Sequence, residues 1–304
     1  MNVRTVAVAG GTGFIGGTIA RHLARSGLHV RVITRNVSRA GPKFDGLGGI
    51  ELFHANVLRP ETLDDVLADV DAIVDAVQFD GYPIENPRRG LTFERVDLGG
   101  VLSLLEAGKL AKVRRFIYIS GAAADEASSH PAFRTKARAE RAIKESGIDY
   151  TIFRPSLVYG PGDRVVGMFA RLLRISPMFV IPGDGRQKLQ PLLVNDLAQC
   201  VTLALEGRGI NRIFEIGGPD TLTFDQFIKL LMEITGSHRP IVHVPEKLMR
   251  LAGLLGEKMP RPLFSRDAVE FLTADNVCDS APLLAEFGVP LTPPQAGMSY
   301  LSRD

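Results

Sequence analysis

Short apolar runs alternate with helical stretches through the first half of the chain. Thr5–Ala9 is apolar after its first residue, the pattern of a strand buried on both faces. Ile15–Ser26 places Ile15, Ile19, Leu23 and Ala24 at helical spacing, and Gly27 stands where such a helix would end. Further strands are predicted over Val30–Thr34, Ile50–His54, Ala72–Val77, Arg115–Ile119 and Tyr150–Arg154. Helices are predicted over Glu61–Leu67, Phe93–Leu105 and Phe133–Ser146. Strand and helix alternating at this spacing imply right-handed crossovers and an α/β fold, a doubly wound parallel sheet covered on both faces.

The pattern loosens after Arg154. Helices are expected over Val165–Leu173, Val194–Leu205, Phe224–Thr235, Glu246–Leu255 and Ser265–Leu272, with one more strand over Arg212–Ile216. Thr223 and Gln226 have capping-box spacing ahead of an apolar helical run. The division expected is a sheet domain over 1–160 and a smaller, mostly helical lobe over 161–304, with segments near 190–217 returning to the sheet. The proline-rich tail Pro290–Pro294 is expected on the surface.

Composition removes several classes of function. The 304 residues carry 36 Lys and Arg against 34 Asp and Glu, a net charge of +2, which gives no basis for nucleic-acid binding. Cys200 and Cys278 are far apart, so neither a disulfide framework nor a cysteine-built zinc site is expected, and a reducing, cytoplasmic compartment is. No signal peptide and no apolar run of bilayer-spanning length is read. The six histidines form no H-x-x-x-H pair, so no metal site is expected.

The strongest chemical signal is Gly10-Gly11-Thr12-Gly13-Phe14-Ile15-Gly16, between the first strand and the first helix. Gly10 allows a tight turn, Gly13 lets a diphosphate approach the backbone, and Gly16 lets the helix pack on the strand. The free N–H groups at the helix start attract phosphate. The strand before and the helix after it point to an NAD(P)-binding Rossmann fold; the alternative is a glycine-rich turn with no ligand. The second strand ends in Thr34-Arg35-Asn36, with no carboxylate to hold ribose hydroxyls. Arg35 suits the 2′-phosphate of NADP(H), which is expected over NAD(H); the alternative is an Arg35 that is solvated or stacks on adenine.

The spacing Gly-x-x-Gly-x-x-Gly resembles that of the extended and atypical short-chain dehydrogenase/reductases. The likeness continues through Phe153-Arg154-Pro155-Ser156-Leu157-Val158-Tyr159-Gly160-Pro161-Gly162, Pro191-Leu192-Leu193-Val194-Asn195-Asp196 and Ile216-Gly217-Gly218-Pro219. Val244-Pro245-Glu246, Met259-Pro260-Arg261-Pro262-Leu263 and Leu272-Thr273-Ala274-Asp275-Asn276 resemble the atypical branch that contains the nucleotide-binding accessory subunit of respiratory complex I and its bacterial relatives.

That resemblance implies further contacts. Asn56 and Val57 stand where adenine is held, Asn56 in place of the usual Asp. Ala76, Val77 and Gln78 would line the nucleotide near its ribose, Ile119 and Ser120 would approach the nicotinamide ribose, and Pro155 and Val158 would border the nicotinamide ring. Catalytic members use Tyr-x-x-x-Lys, in which Lys lowers the Tyr pKa for proton exchange with a carbonyl oxygen. Here Lys136 is present, expected as a ribose ligand with a solvated helix lysine as the alternative, but the Tyr position holds Ala132. Tyr82 and Tyr159 are the other acids to weigh, each with packing as its simpler role. The expected function is therefore an NADP(H)-binding protein without standard Tyr–Lys catalysis, structural or redox-sensing, linked to complex I or quinone biosynthesis through a protein partner. The alternative is an NADPH-dependent reductase of an apolar carbonyl, enal or quinone bound between the lobes. Leu248, Leu251, Leu254 and Leu255, beside Lys247 and Arg250, are expected in core packing, with peripheral contact to a membrane surface as the other reading.

Overall fold

The computed structural model describes residues 3–245, 247–248 and 275–302. The strands in chain order are β1 (Thr5–Ala9), β2 (His29–Thr34), β3 (Ile50–His54), β4 (Ala72–Asp75), β5 (Arg115–Ile119), β6 (Asp149–Pro155), β7 (Val158–Tyr159), β8 (Phe179–Pro182), β9 (Lys188–Leu189), β10 (Leu192–Leu193), β11 (Arg212–Ile216), β12 (Leu222–Thr223) and β13 (Ile241–Val244). The main helices are α1 (Phe14–Arg25), α2 (Val37–Ala40), α3 (Asp64–Leu67), α4 (Gly99–Leu110), α5 (Pro131–Glu145), α6 (Val165–Ile175), α7 (Val194–Leu205) and α8 (Phe224–Thr235).

Two compact units emerge. The first comprises 1–155, 194–216 and 279–290, and the second 156–193, 217–278 and 291–304. The first unit is built on a seven-stranded sheet in the order β11-β6-β5-β4-β1-β2-β3, every pair parallel. The order reverses direction at β1, so the loops after β1 and β4 lie at the topological switch point, where open α/β sheets bind ligands. One face is filled by Ala7, Ala9, Ile73, Phe116 and Tyr118 packed against Leu104 of α4 and Ile143 of α5. Arg115, 1% exposed within the sheet, is held by Thr151 and by the carbonyls of Ala204 and Arg208, which ties the end of α7 to β5 and β6.

Several expectations needed adjustment. The predicted helix Glu61–Leu67 is a 3-10 turn over Pro60–Thr62 followed by the single turn α3. The predicted helix Phe93–Leu105 begins as a π-helical segment over Phe93–Leu98 before α4. The stretch Asp279–Pro290, assigned above to the smaller lobe, belongs to the first unit. There the helix Ala281–Phe287 packs Phe287 on Phe214 of β11 and pairs Glu286 with Arg212 at 2.7 Å. The second unit has its own core of Phe169, Phe179, Phe224, Phe227 and Leu231, with short strand pairs β7–β10, β8–β13 and β9–β12. The tail is not all surface: Pro294 is buried, and Met298 has no exposure. The predicted helices Glu246–Leu255 and Ser265–Leu272 lie outside the described residues except for 247–248.

Candidate nucleotide site

The glycine loop folds as its spacing demands. Gly10 adopts φ +73°, and a Cβ there would stand 2.4 Å from the Ala76 carbonyl oxygen. A Cβ at Gly16 would stand 2.4 Å from the carbonyl oxygen of Gly10. Both contacts are far inside van der Waals limits, so the turn closes only with glycine at these positions. The Gly13 N–H donates to Gly10 O at 2.9 Å and closes the turn. Gly13 is the N-cap of α1, and no side chain caps the helix. The N–H groups of Phe14, Ile15 and Gly16 thus face the loop with the positive end of a twelve-residue helix behind them. A tight glycine cradle with an uncapped helix start fits a diphosphate. Lys43, from the 3-10 turn Gly41–Lys43, reaches this loop and donates to Thr12 O at 2.6 Å.

Arg35 follows β2 and lies in an ion pair with Asp80, Nη2 to Oδ2 at 3.0 Å, both side chains mostly exposed. Asn36 turns its side-chain oxygen to the Arg39 N–H at 2.8 Å as the N-cap of α2, so its amide group retains donors for a ligand but not that oxygen. Asn56 is arranged alike: Oδ1 accepts from Leu58 N at 3.0 Å and leaves the NH2 group as the outward donor. Val57 is buried against the open face of Gly100. Of the residues after β4, Ala76 and Val77 are half-buried and Gln78 is exposed.

The end of β4 carries chemistry that the sequence reading passed over. Asp75 is 1% exposed; its Oδ1 accepts from Val77 N at 2.9 Å, while its Oδ2 is buried without a hydrogen bond. Asp97, in the π-helical segment, is 4% exposed with both carboxylate oxygens in that condition. Lys136 of α5 attracts both carboxylates electrostatically, and its Nζ donates to Ile119 O at 3.5 Å and lies 5.6 Å from the Tyr118 ring centroid. Burial pushes the Asp75 carboxyl up to about 7, against the pull of Lys136. Burial likewise pushes Asp97 up to about 7, with repulsion from Asp75 and Glu85 adding to it. Burial lowers Lys136, and the attraction of Asp97, Asp75 and Glu140 opposes it. The two carboxyls are thus poised to titrate near neutral pH beside a buried amine. The signal was present in the sequence: Asp75 interrupts an apolar strand and Asp97 an apolar helix.

Ser120 is buried and donates to Glu140 Oε1 at 2.6 Å; Glu140 also takes two bonds from Arg154, at 2.9 and 2.6 Å. The Ser120 hydroxyl is therefore committed to a buried network, with its backbone at the end of β5 beside Ile119. Ala132 is 1% exposed and lies in a cluster with Phe79, Phe93 and Val96, with Tyr82 packed on its edge. The rings of Phe79 and Phe93 meet edge-on at 5.0 Å. Aromatic side chains fill the space around the position four residues before Lys136. Pro155 ends β6 in the first unit, and Val158 is half-buried in β7 of the second. Tyr159 is fully buried in the second unit's core, with its ring against Gly297. Among the described residues no helix is long and apolar enough to cross a membrane, and no group of three or more His, Cys, Asp or Glu could hold a metal.

Residues 6–217 match the model of the NAD dependent epimerase/dehydratase family. The mitochondrial NADH-ubiquinone oxidoreductase 40 kDa subunit of Neurospora crassa is 29% identical over 280 residues, 90% of this chain and 72% of that protein. A photosystem II assembly factor of Guillardia theta is 28% identical over 243 residues, 80% of this chain and 74% of that protein. Among solved structures, the UDP-glucose 4-epimerase of Thermotoga maritima superposes with a TM-score of 0.75 at 23% identity, covering 97% of this chain and 96% of that one. At that identity the superposition carries the fold.

Proposed function

The chain belongs to the NAD dependent epimerase/dehydratase family, and from that premise we propose that it holds a nicotinamide dinucleotide as a standing ligand, with NADP(H) preferred. It acts as an accessory or assembly subunit for a membrane redox complex, in contact with a protein partner, and lacks Tyr–Lys catalysis. The observation that carries this reading is Ala132, buried among Phe79, Phe93 and Val96, beside an intact glycine cradle. The binding half of the site is kept, and the usual proton donor is replaced by packed hydrocarbon. The relatives named above as a subunit of NADH-ubiquinone oxidoreductase and as a photosystem II assembly factor support the accessory role.

In this reading the diphosphate sits on the N–H groups of Phe14, Ile15 and Gly16, Asn56 donates to adenine, and Lys136 donates to the nicotinamide ribose. A bound nicotinamide would supply hydride chemistry. The chain's own contribution is to orient the dinucleotide and to hold protons on Asp75, Asp97 and Lys136.

That buried group favours a second reading, an NADPH-dependent reductase of an apolar carbonyl, enal or quinone, since carboxyls poised near 7 can store a proton. One experiment separates the two. The purified chain is analysed by mass spectrometry for bound coenzyme, then assayed for NADPH oxidation with quinones, enals and ketones. Co-purified coenzyme without turnover supports the accessory role; turnover abolished by Lys136→Met supports the reductase.

A further inference from the structure

We infer that Asp80 sets how strongly this site discriminates between the phosphorylated and the unphosphorylated coenzyme, by competing for Arg35 with a ligand phosphate and by accepting from a bare ribose hydroxyl. The inference rests on the dinucleotide reading of the same site. Sequence order hides the feature. The second strand ends without an acid, so the segment 34–36 alone points to a 2′-phosphate. The structure supplies the acid from elsewhere: Asp80 Oδ2 lies 3.0 Å from Arg35 Nη2.

Topology explains how the two meet. β4 and β2 flank β1 on either side. Strand neighbours lie about 4.8 Å apart, so the ends of β2 and β4 are separated by about 10 Å. Arg35 leaves the end of β2, and Asp80 comes from the loop after β4. Their ion pair therefore reaches across the edge where the glycine loop leaves β1. Asp80 is positioned by its neighbour: Phe79 is 4% exposed and wedged against Phe93 and Tyr82. Turns from Tyr82 N to Phe79 O and from Ile84 N to Gly81 O shape the loop around it.

The chemistry follows from charge. A 2′-phosphate must take Arg35 from Asp80 and then lie beside a carboxylate. A 2′-hydroxyl meets no such conflict, because a carboxylate is its acceptor. The side chains of Arg35 and Asp80 are 62% and 71% exposed, so the pair opens readily and neither coenzyme is excluded. Asp80 thus holds the NADP(H) preference down and keeps NAD(H) as a ligand.

The test is equilibrium titration of the full chain with NADPH and with NADH, for wild type, Asp80→Asn, Asp80→Glu and Arg35→Ala. An exposed ion pair shifts an equilibrium by up to about fivefold, and removing a carboxylate beside a phosphate adds to it. Asp80→Asn should therefore tighten NADPH by about threefold to tenfold and weaken NADH by about twofold to fivefold. Asp80→Glu should keep the wild-type ratio within about threefold. Arg35→Ala should weaken NADPH and spare NADH. The inference is overturned if Asp80→Asn moves both affinities by the same factor, or neither by more than about twofold while wild type binds both. If wild type binds neither coenzyme, the dinucleotide reading itself fails and takes this inference with it.

Discussion

Replacing Asp97 by Asn should make the protein more stable in base and leave it little changed in acid. Asp97 titrates near 3.9 in an unfolded chain and is pushed up to about 7 in the folded one, chiefly by burial. The folded state therefore binds the proton more tightly. The stability contributed by the protonated carboxyl is fully present below about pH 4 and is lost as pH rises through about 7. At 1.36 kcal/mol per pH unit, wild type should lose between about 2 and 3 kcal/mol from this group between pH 5 and pH 8. Asn keeps the shape and removes the ionisation. It also relieves the repulsion between Asp97 and Asp75. The assay is urea unfolding of both proteins at several pH values between 5 and 8.5, with the difference between them plotted against pH so that groups not coupled to Asp97 cancel. The difference should grow toward high pH in favour of Asp97→Asn. A difference independent of pH, or a variant that weakens relative to wild type as pH rises, would show that Asp97 does not bind its proton more tightly in the folded state.

Two other outcomes follow from the geometry. Gly16→Ala should abolish dinucleotide binding while secondary structure persists by circular dichroism, because its Cβ would collide with Gly10 O at 2.4 Å; retained affinity would show that the cradle is not the binding loop. Ala132→Tyr restores the family's Tyr–Lys spacing but inserts a ring among Phe79, Phe93 and Val96. It should lower stability by about 1–3 kcal/mol in urea titration and yield no reductase activity; a folded variant that gains turnover would show that the pocket still has room for a catalytic tyrosine.

The sheet was legible because its signals are local. Thr5–Ala9 and Arg115–Ile119 have the same bounds in sequence and structure, since a strand buried on both faces reads as an apolar run; Ile50–His54 also keeps its bounds, as a half-exposed edge strand with Ile50, Leu52 and Phe53 half-buried. Phe224–Thr235 was legible through its cap, where Thr223 and Gln226 make both bonds of a capping box. Two-residue strands such as β9 and β12 carry no period and were not read from the sequence. The π-helical start at Phe93 left none either, since its apolar spacing resembles that of an α-helix. In the site, the glycine loop was readable because Gly10 and Gly16 serve contacts within the loop and with the adjacent strand. Asp80 was not, because its meaning depends on Arg35, brought beside it by the placement of β2 and β4 on either side of β1. Asp75 and Asp97 were visible as acids in apolar runs, but their proximity to Lys136 is a product of three elements meeting. Ser120 was placed at the right edge of the sheet, yet the commitment of its hydroxyl to Glu140 depends on α5 and β6 together.

Everything proposed for this site depends on the loop from Gly10 to Gly16 holding the diphosphate of a nicotinamide dinucleotide. The direct measurement is saturation of the purified wild-type chain with NADPH, followed by nicotinamide fluorescence and repeated with Gly16→Ala. Saturable binding of one coenzyme per chain, lost in the variant, is the expected result. Absence of binding to wild type, or equal binding to both proteins, would contradict it.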